Sequence, residues 1–212
     1  MSFKHRVIVL AKVEYGDRTL IVDCFSAESG RISASTHLSK KNKSLFYYSP
    51  LNVIELDLFR AKKSKLFKIK EAKSLIAEQL ANQSPEVNAY RFFIAEFLQK
   101  TIEIESQDLA LYKFLTDQIA SLYHSSSRPS FLSDFLEQLS PFLGIDLAEI
   151  KAQGGEPSDY GLLFNDQEGK TLMEQNKVKE KERLSALLKF YAHHFPAVEK
   201  LKSRKVLSAV FS

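Results

Sequence analysis

Two short runs of lysine and arginine lie in the first third of the chain. Their members are Lys40, Lys41, Lys43, Arg60, Lys62, Lys63 and Lys65. Lys68 and Lys70 extend the second run, and their spacing of two places both side chains on one face of a strand. Closely spaced cations suit a polyanion, because affinity grows with each phosphate that is neutralised. The pattern favours phosphate binding; the alternative is a solvated strand edge that discourages sheet pairing.

Aromatic residues are interleaved with these cations and could stack on unpaired bases. They are Phe46, Tyr47, Tyr48, Phe59 and Phe67. Because aromatic residues of strands usually face the core, we expect core packing for any individual member of this group.

A third basic cluster lies near the end of the chain and contains Lys202, Arg204 and Lys205. We expect it on a last helix over residues 198–210. Its charge could complement the C-terminus of that helix or contact backbone phosphates, and the sequence does not separate these two roles.

Residues that could perform catalysis show no recognisable arrangement. The five histidines are scattered, and none has a serine, cysteine or aspartate of a nucleophile motif nearby. His193 and His194 are adjacent, so on a helix they point about 100° apart and do not share a metal. Gly154 and Gly155 open no helix after a strand, as a phosphate-binding loop would. We therefore predict a protein that is not an enzyme and has no cofactor or metal.

The net charge of +4 over 212 residues conceals a strong segregation. Residues 1–80 hold 15 bases and 8 acids (+7), residues 81–176 hold 6 and 15 (−9), and residues 177–212 hold 9 and 3 (+6). Such a layout describes surfaces and partners rather than the fold. The anionic partner should therefore meet the two ends of the chain.

Composition narrows the class of protein further. The single Cys24 cannot form an internal disulfide or anchor a structural zinc site. No apolar run approaches the roughly 18 residues of a membrane span, and the first residues do not resemble a signal peptide. We expect a cytoplasmic protein stabilised by packing alone.

The first 80 residues read as five short strands. The segments are 7–14, 19–25, 31–37, 52–59 and 66–70, with turns at Tyr15-Gly16-Asp17 and before Gly30. Short antiparallel strands with short connections are most simply closed as a barrel, since closure removes the exposed edges. The fold class predicted is α+β, with an N-terminal five-stranded barrel followed by a mainly helical domain.

Beyond the strands the hydrophobic period changes to that of helices. We predict a short helix over residues 71–81, and apolar stripes predict helices around residues 90–101, 109–122 and 131–142. Residues 152–172 read as an irregular or hairpin insertion, and a further helix covers 177–192. The predicted domains are 1–80 and 81–212.

The order of these segments resembles the bacterial RecO family. The resemblance rests on residues 7–30 with their Tyr-Gly-acid turn, on residues 41–44, 50–58 and 66–71, and on residues 191–194 with 202–207. It therefore covers both ends of the chain, and the order and spacing matter more than any single motif.

This resemblance implies that the barrel is an OB-fold and that the protein acts as a recombination mediator in DNA repair. Such a protein binds single- and double-stranded DNA, anneals complementary strands and assists loading of RecA on DNA coated by single-strand-binding protein (SSB). It also implies partnership with RecR and with the acidic C-terminal tail of SSB. Some family members carry a four-cysteine zinc site, but residues 152–172 contain no cysteine here. The alternatives are a protein adaptor without catalytic activity and an RNA-binding OB-fold protein.

Overall fold

A computed structural model of the chain describes residues 2–16, 18–37, 43–60, 66–76, 83–103, 107–124, 128, 130–147 and 172–210. The strands are β1 (Ser2–Tyr15), β2 (Thr19–Ser26), β3 (Gly30–His37), β4 (Val53–Phe59) and β5 (Phe67–Ser74). The α-helices are α1 (Pro85–Thr101), α2 (Leu109–His124), α3 (Phe131–Leu139), α4 (Leu172–His194) and α5 (Ser203–Val210). Short 3-10 helices cover Lys43–Phe46, Ser140–Leu143 and Pro196–Lys200.

The five strands form a closed barrel in the order β1-β2-β3-β5-β4. Every neighbouring pair is antiparallel except β3 with β5, which is parallel. The predicted N-terminal OB-fold barrel and the helices after it are confirmed. Gly16 and Gly30 adopt positive φ angles of 62° and 63° at the turns that precede β2 and begin β3. Glycine tolerates this conformation because it has no Cβ.

Alternate residues of the strands fill the barrel interior, as the period of two requires. The buried cluster contains Val7, Val9, Leu20, Val22, Cys24, Ile32, Ala34, Tyr48, Ile54, Leu56 and Leu58, with Phe67, Ile69 and Ala72 packed against it. Burial raises the pKa of the Cys24 thiol, and neighbouring Asp23 raises it further, so this cysteine is an inert core residue.

The predicted helix over residues 71–81 is wrong in its first half, because β5 continues to Ser74. Glu71, Ala72 and Lys73 pair with Asp57, Leu56 and Glu55 of β4. Ala72 faces the core, and the ladder compensates for the weak strand propensity of this segment. The register changes between Asp57 and Leu58 and leaves Lys70 as an extra residue, a β-bulge. The second half of the prediction, residues 77–81, lies outside the described residues.

Helix α1 begins at Pro85 with a capped N-terminus. Ser84 accepts a hydrogen bond from the Val87 amide (3.3 Å), and Pro85 occupies the first helical position. The predicted apolar stripe of this helix is confirmed, because each of its members is buried. Its members are Tyr90, Phe93, Ile94, Phe97, Leu98 and Thr101.

Arg31 joins the barrel to the end of α1. Its guanidinium donates hydrogen bonds to both carboxylate oxygens of Asp23, the shortest at 2.7 Å, and to the backbone carbonyl of Gln99 at 2.6 Å. A weaker bond reaches the Ile102 carbonyl, and the Gln99 side chain donates to Asp23 at 3.1 Å. A cation at the C-terminus of a helix is favourable, so this network holds α1 against β2 and β3.

The chain divides into two compact units, residues 1–126 with 201–212, and residues 127–200. In the second unit, Arg183 of α4 forms ion pairs with Asp134 and Glu137 of α3, at 3.0 Å and 2.6 Å, and with Glu180 at 3.1 Å. Tyr191 also donates from its hydroxyl to the Leu136 carbonyl (2.7 Å). These contacts hold α3 to α4. The division into domains 1–80 and 81–212 stays a proposal.

The end of the chain differs from the predicted helix over 198–210, which is wrong as a continuous element. A 3-10 helix covers Pro196–Lys200, Leu201 is buried, and α5 begins only at Ser203. In the described part of the chain, no helix is both long and apolar enough to cross a bilayer.

Candidate nucleic-acid interface

One side of the barrel carries cations and carboxylates in neighbouring positions, and we call it the charge-paired face. Its residues are Lys4, Arg6, Glu55, Asp57, Lys70, Glu71 and Lys73, which lie on β1, β4 and β5. Across the ladder, Arg6 and Lys73 both lie opposite Glu55. Lys4 forms an ion pair with Glu55 at 3.4 Å and Lys70 with Asp57 at 3.8 Å. Nearby opposite charges cancel much of the field that would attract a phosphate.

A second side of the barrel, which we call the open face, has a different chemistry. It consists of Val13, Tyr15, Thr19, Ile21, Ser35, His37 and Lys68. The ladder registers join Val13 to Ile21, Ile21 to Ser35 and Ser35 to Lys68, and in the next row join Tyr15 to Thr19 and Thr19 to His37. Three strand spacings of about 4.8 Å give this row a length of about 14 Å.

Carboxylates of the described residues are absent from the open face or already bound. Asp23 points outward farther along β2, but Arg31 and Gln99 occupy its oxygens. Glu14 lies opposite Leu20, on the other side of the β1–β2 ladder. Two exposed cations lie at the margins of the open face. Arg18 lies in the hairpin turn, and Lys68 lies at the far end of the row. The open face is therefore the better barrel surface for an anionic chain.

A bulge in β1 adds Val13 and Tyr15 to the open face. Val7 and Val9 point into the barrel, and strict alternation would send Val13 and Tyr15 inward as well. The register shift between Val9 and Ala11 reverses the alternation, so that Val13 and Tyr15 point outward and are 60% and 69% exposed. Sequence reasoning missed both residues, because nothing local marks the position of the bulge.

The structure describes only part of the predicted barrel site. Lys40, Lys41, Lys62, Lys63 and Lys65 lie outside the described residues, and the Lys43 backbone belongs to the 3-10 helix Lys43–Phe46. Those basic runs remain predictions. The other three members, Arg60, Lys68 and Lys70, have described positions.

The three described cations do not share one environment. Lys68 lies on the open face, whereas Lys70 pairs with Asp57 on the charge-paired face. The guanidinium of Arg60 sits 4.7 Å from the ring centroid of Phe67, a cation–π contact at the end of β4. Lys68 and Lys70 are both exposed on β5, and Lys70 differs from Lys68 in its ion pair with Asp57.

The aromatic residues interleaved with these cations differ in burial: some pack in the core and others are exposed. The expected core packing is confirmed for Tyr48, which is buried, and for Phe67, which packs against the barrel core, and it is wrong for Phe46 and Phe59. Tyr47 is half-buried, whereas Phe46 and Phe59 are 43% and 38% exposed. Phe59 lies opposite Lys68 in the β4–β5 ladder. One exposed aromatic ring and one exposed cation therefore lie side by side at the start of β5.

The basic cluster near the end of the chain lies at the N-terminal turn of α5, so the first of its two predicted alternatives, an interaction with the C-terminus of this helix, is wrong. Lys202 immediately precedes the helix, and Arg204 and Lys205 belong to its first turn. Glu96 of α1 accepts hydrogen bonds there from the amides of Lys202 (3.0 Å) and Ser203 (2.9 Å) and from the Ser203 hydroxyl (2.6 Å). This carboxylate offsets the positive end of the helix, while Lys202 and Lys205 stay exposed.

Burial acts to raise the pKa of Glu96, but the hydrogen bonds from Ser203 and from the two amides, together with Lys100, lower it below the ordinary 4.5. The docking energy supplied by this carboxylate is therefore present above pH 4.5 and is lost as the pH falls through the lower folded value.

We expect Glu96→Gln to cost about 1 kcal/mol at neutral pH, because a neutral amide oxygen accepts these hydrogen bonds less strongly. Urea unfolding from about pH 7 to about pH 3 checks this, and the difference between wild type and variant should shrink at the acidic end. Glu103→Gln, the same substitution at an exposed acid just beyond the end of α1, serves as the surface control. A difference that stays constant with pH would show that ionised Glu96 does not hold α5.

No group of three His, Cys, Asp or Glu side chains among the described residues could hold a metal. Of the insertion predicted at 152–172, residues 152–171 lie outside the described part of the chain, and Leu172 already belongs to α4.

Comparison with known proteins gives a consistent set of relatives. Residues 1–76 match the family model named "Recombination protein O N terminal". The whole chain is similar to the DNA repair protein RecO of Flavobacterium johnsoniae, at 24% identity over all of both chains. The DNA repair protein RecO of Phocaeicola vulgatus is 28% identical over 97% of each chain, and that of Porphyromonas gingivalis is 28% identical over all of both.

Proposed function

We propose that this chain, a member of the RecO family of DNA repair proteins, binds DNA through its barrel and promotes pairing of complementary strands in recombinational repair. The observation that carries the proposal is the asymmetry of the barrel surface. One side has Lys4 and Lys70 paired with carboxylates, and the other presents Lys68, hydroxyl groups and exposed apolar side chains. The open face therefore suits single-stranded DNA, because cations can contact its phosphates and exposed apolar side chains can contact its unpaired bases.

The proposed mechanism of annealing is electrostatic. Two single strands repel each other through their phosphates, and this repulsion opposes pairing at low ionic strength. Lysines of the runs 40–43 and 60–65, with Lys68, neutralise phosphates of both strands and release their counterions. Base pairing then supplies the free energy, so the reaction requires no nucleotide hydrolysis and no catalytic group.

The family relationship extends the proposal to partners. We infer that the protein binds both single- and double-stranded DNA in the cytoplasm and acts with RecR. It also contacts the acidic tail of SSB and so assists RecA indirectly on SSB-coated DNA. Lys202, Arg204 and Lys205 form a second basic surface at the start of α5 that can hold another part of the DNA.

Titration of a single-stranded oligonucleotide at two salt concentrations tests this function. DNA binding by phosphate contacts predicts an affinity that falls steeply with salt, and unlabelled RNA of the same sequence should compete less well than DNA. Failure to bind either nucleic acid would favour a protein adaptor instead. Stronger competition by RNA would favour an RNA-binding protein.

A further inference from the structure

The hairpin between β1 and β2 exposes two large apolar side chains at its end. Tyr15 is 69% exposed and Val13 is 60% exposed, and they lie two residues apart on the same side of β1. The bulge between Val9 and Ala11 is what turns them outward. Bulges are often found where a strand must re-aim side chains for a function.

The neighbours of Tyr15 and Val13 across the ladders are a threonine, an isoleucine and a histidine. Across the ladder, Tyr15 lies opposite Thr19 and Val13 lies opposite Ile21, which places these side chains about 4.5–5.5 Å apart at Cβ. His37 lies beyond Thr19 on β3, so an aromatic ring, an imidazole and small side chains share one surface. Such a surface offers ring faces and short side chains rather than tall charged groups.

The charges around this surface indicate which ligand it would take. Arg18 is exposed in the same hairpin, and Lys68 ends the row that runs from Val13 through Ile21 and Ser35. Glu14 points to the other side of the ladder, opposite Leu20. Cations at two margins, with the exposed side chains of Val13 and Tyr15 between them, match a ligand that combines phosphates with planar bases.

We propose that Tyr15, supported by Val13 and His37, is a stacking subsite for an unpaired base and gives the barrel a preference for single strands over duplex. The inference rests on the proposed function, because it assumes that the open face meets DNA. In a duplex the base faces are already stacked on one another, so Tyr15 has no ring face to contact. The phosphate contacts of the lysines, in contrast, serve both forms of DNA.

Three variants test the subsite: Tyr15→Ala, Tyr15→Phe and, as the matched control, Phe92→Ala. Phe92 is an aromatic residue of α1 that is 49% exposed and lies outside the barrel. The readout is fluorescence anisotropy of a labelled oligothymidine and of a matched duplex, each at two salt concentrations. Thermal melts verify folding, which should persist because Tyr15 is largely exposed.

We expect Tyr15→Ala to weaken single-strand binding by about 5- to 150-fold, the range for loss of one stacked base. Its salt slope and its duplex affinity should equal those of wild type, since the tyrosine ring carries no charge. Tyr15→Phe should retain binding, because the ring alone provides the stacking surface, and Phe92→Ala should bind as wild type. A 2-aminopurine base in the oligonucleotide should lose emission on binding wild type and retain more of it with Tyr15→Ala.

Two kinds of result would overturn the subsite and would separate it from the wider proposal. Unchanged single-strand affinity in Tyr15→Ala, or an equal loss for single strand and duplex, would refute stacking at Tyr15 while wild-type DNA binding upheld the proposed function. Absence of any DNA binding by wild type would refute the proposed function and the subsite together.

Discussion

Replacing Lys62, Lys63 and Lys65 together by alanine is expected to weaken DNA binding on the order of 100-fold at 0.1 M salt, alike for every sequence. Each phosphate contact to a single strand contributes about 0.7 to the slope of log affinity against log salt, so the slope should fall by about 2. The three lysines directly precede Leu66 and β5, whose Lys68 ends the row of the open face. Filter-binding titrations across salt concentrations measure both quantities.

A second triple variant that loses the same number of positive charges shows whether DNA affinity depends on the position of the lysines or only on the net charge of the protein. Replacing Lys4, Arg6 and Lys73 by alanine removes the same three positive charges from the charge-paired face, where Glu55 and Asp57 lie beside them. We expect a much smaller loss of affinity and little change in slope. Equal losses in the two triple variants would mean that the protein binds DNA through its overall charge, contrary to the assignment of residues 60–65.

Arg31→Ala is expected to lower the free energy of unfolding by about 3–5 kcal/mol, the usual cost of breaking a mostly buried ion pair. The substitution removes the bidentate contact with Asp23, whose side chain is 13% exposed, and leaves the Gln99 carbonyl at the end of α1 without its donor. Arg31→Lys should recover little, since a lysine cannot supply the planar fork that reaches both partners. Urea unfolding followed by circular dichroism measures these changes.

Arg18→Ala is the matched control for this prediction, because Arg18 is an exposed arginine in the hairpin that precedes β2. Its effect on stability should stay within about 0.5 kcal/mol. A loss below about 1 kcal/mol in Arg31→Ala would show that apolar packing, rather than the Arg31 network, holds α1 to the barrel.

The barrel could be predicted from the sequence because its signals are local. Alternating apolar residues in β4 and glycines at the turn positions 16 and 30 are visible in the sequence without tertiary information. The extension of β5 through Glu71, Ala72 and Lys73 could not be predicted, since these residues have weak strand propensity. What makes them a strand is the ladder with Glu55, Leu56 and Asp57, more than ten residues earlier.

The interruption of the helix before α5 could not be predicted from the sequence for a similar reason. Residues 198–210 have a continuous helical pattern, but Leu201 is buried and Glu96, about 100 residues earlier, binds the amides that begin the new helix at Ser203. A cap supplied by another helix leaves no mark in the local sequence.

The net charge of the candidate site could be predicted from the sequence, but the side of the barrel on which each charged or aromatic residue lies could not. The sequence shows a surplus of +7 over residues 1–80, but Lys4 and Lys70 belong to ion pairs, so the segment is less basic on one side than its total indicates. In the sequence, Val13 and Tyr15 continue the alternation of the inward-facing Val7 and Val9. In the structure, the bulge reverses this alternation and both side chains point outward. A count along the chain cannot reveal how neighbouring strands pair charges or shift register.

The central claim is that this chain pairs complementary DNA strands by neutralising their phosphates. The most direct measurement follows annealing of two complementary oligonucleotides, one labelled with a donor dye and one with an acceptor, in the absence of ATP. We expect the purified protein to accelerate annealing at low salt, the acceleration to fall as salt is raised, and the triple variant of Lys62, Lys63 and Lys65 to lose most of it. An annealing rate equal to that of the DNA alone, at protein concentrations that saturate binding, would contradict the claim.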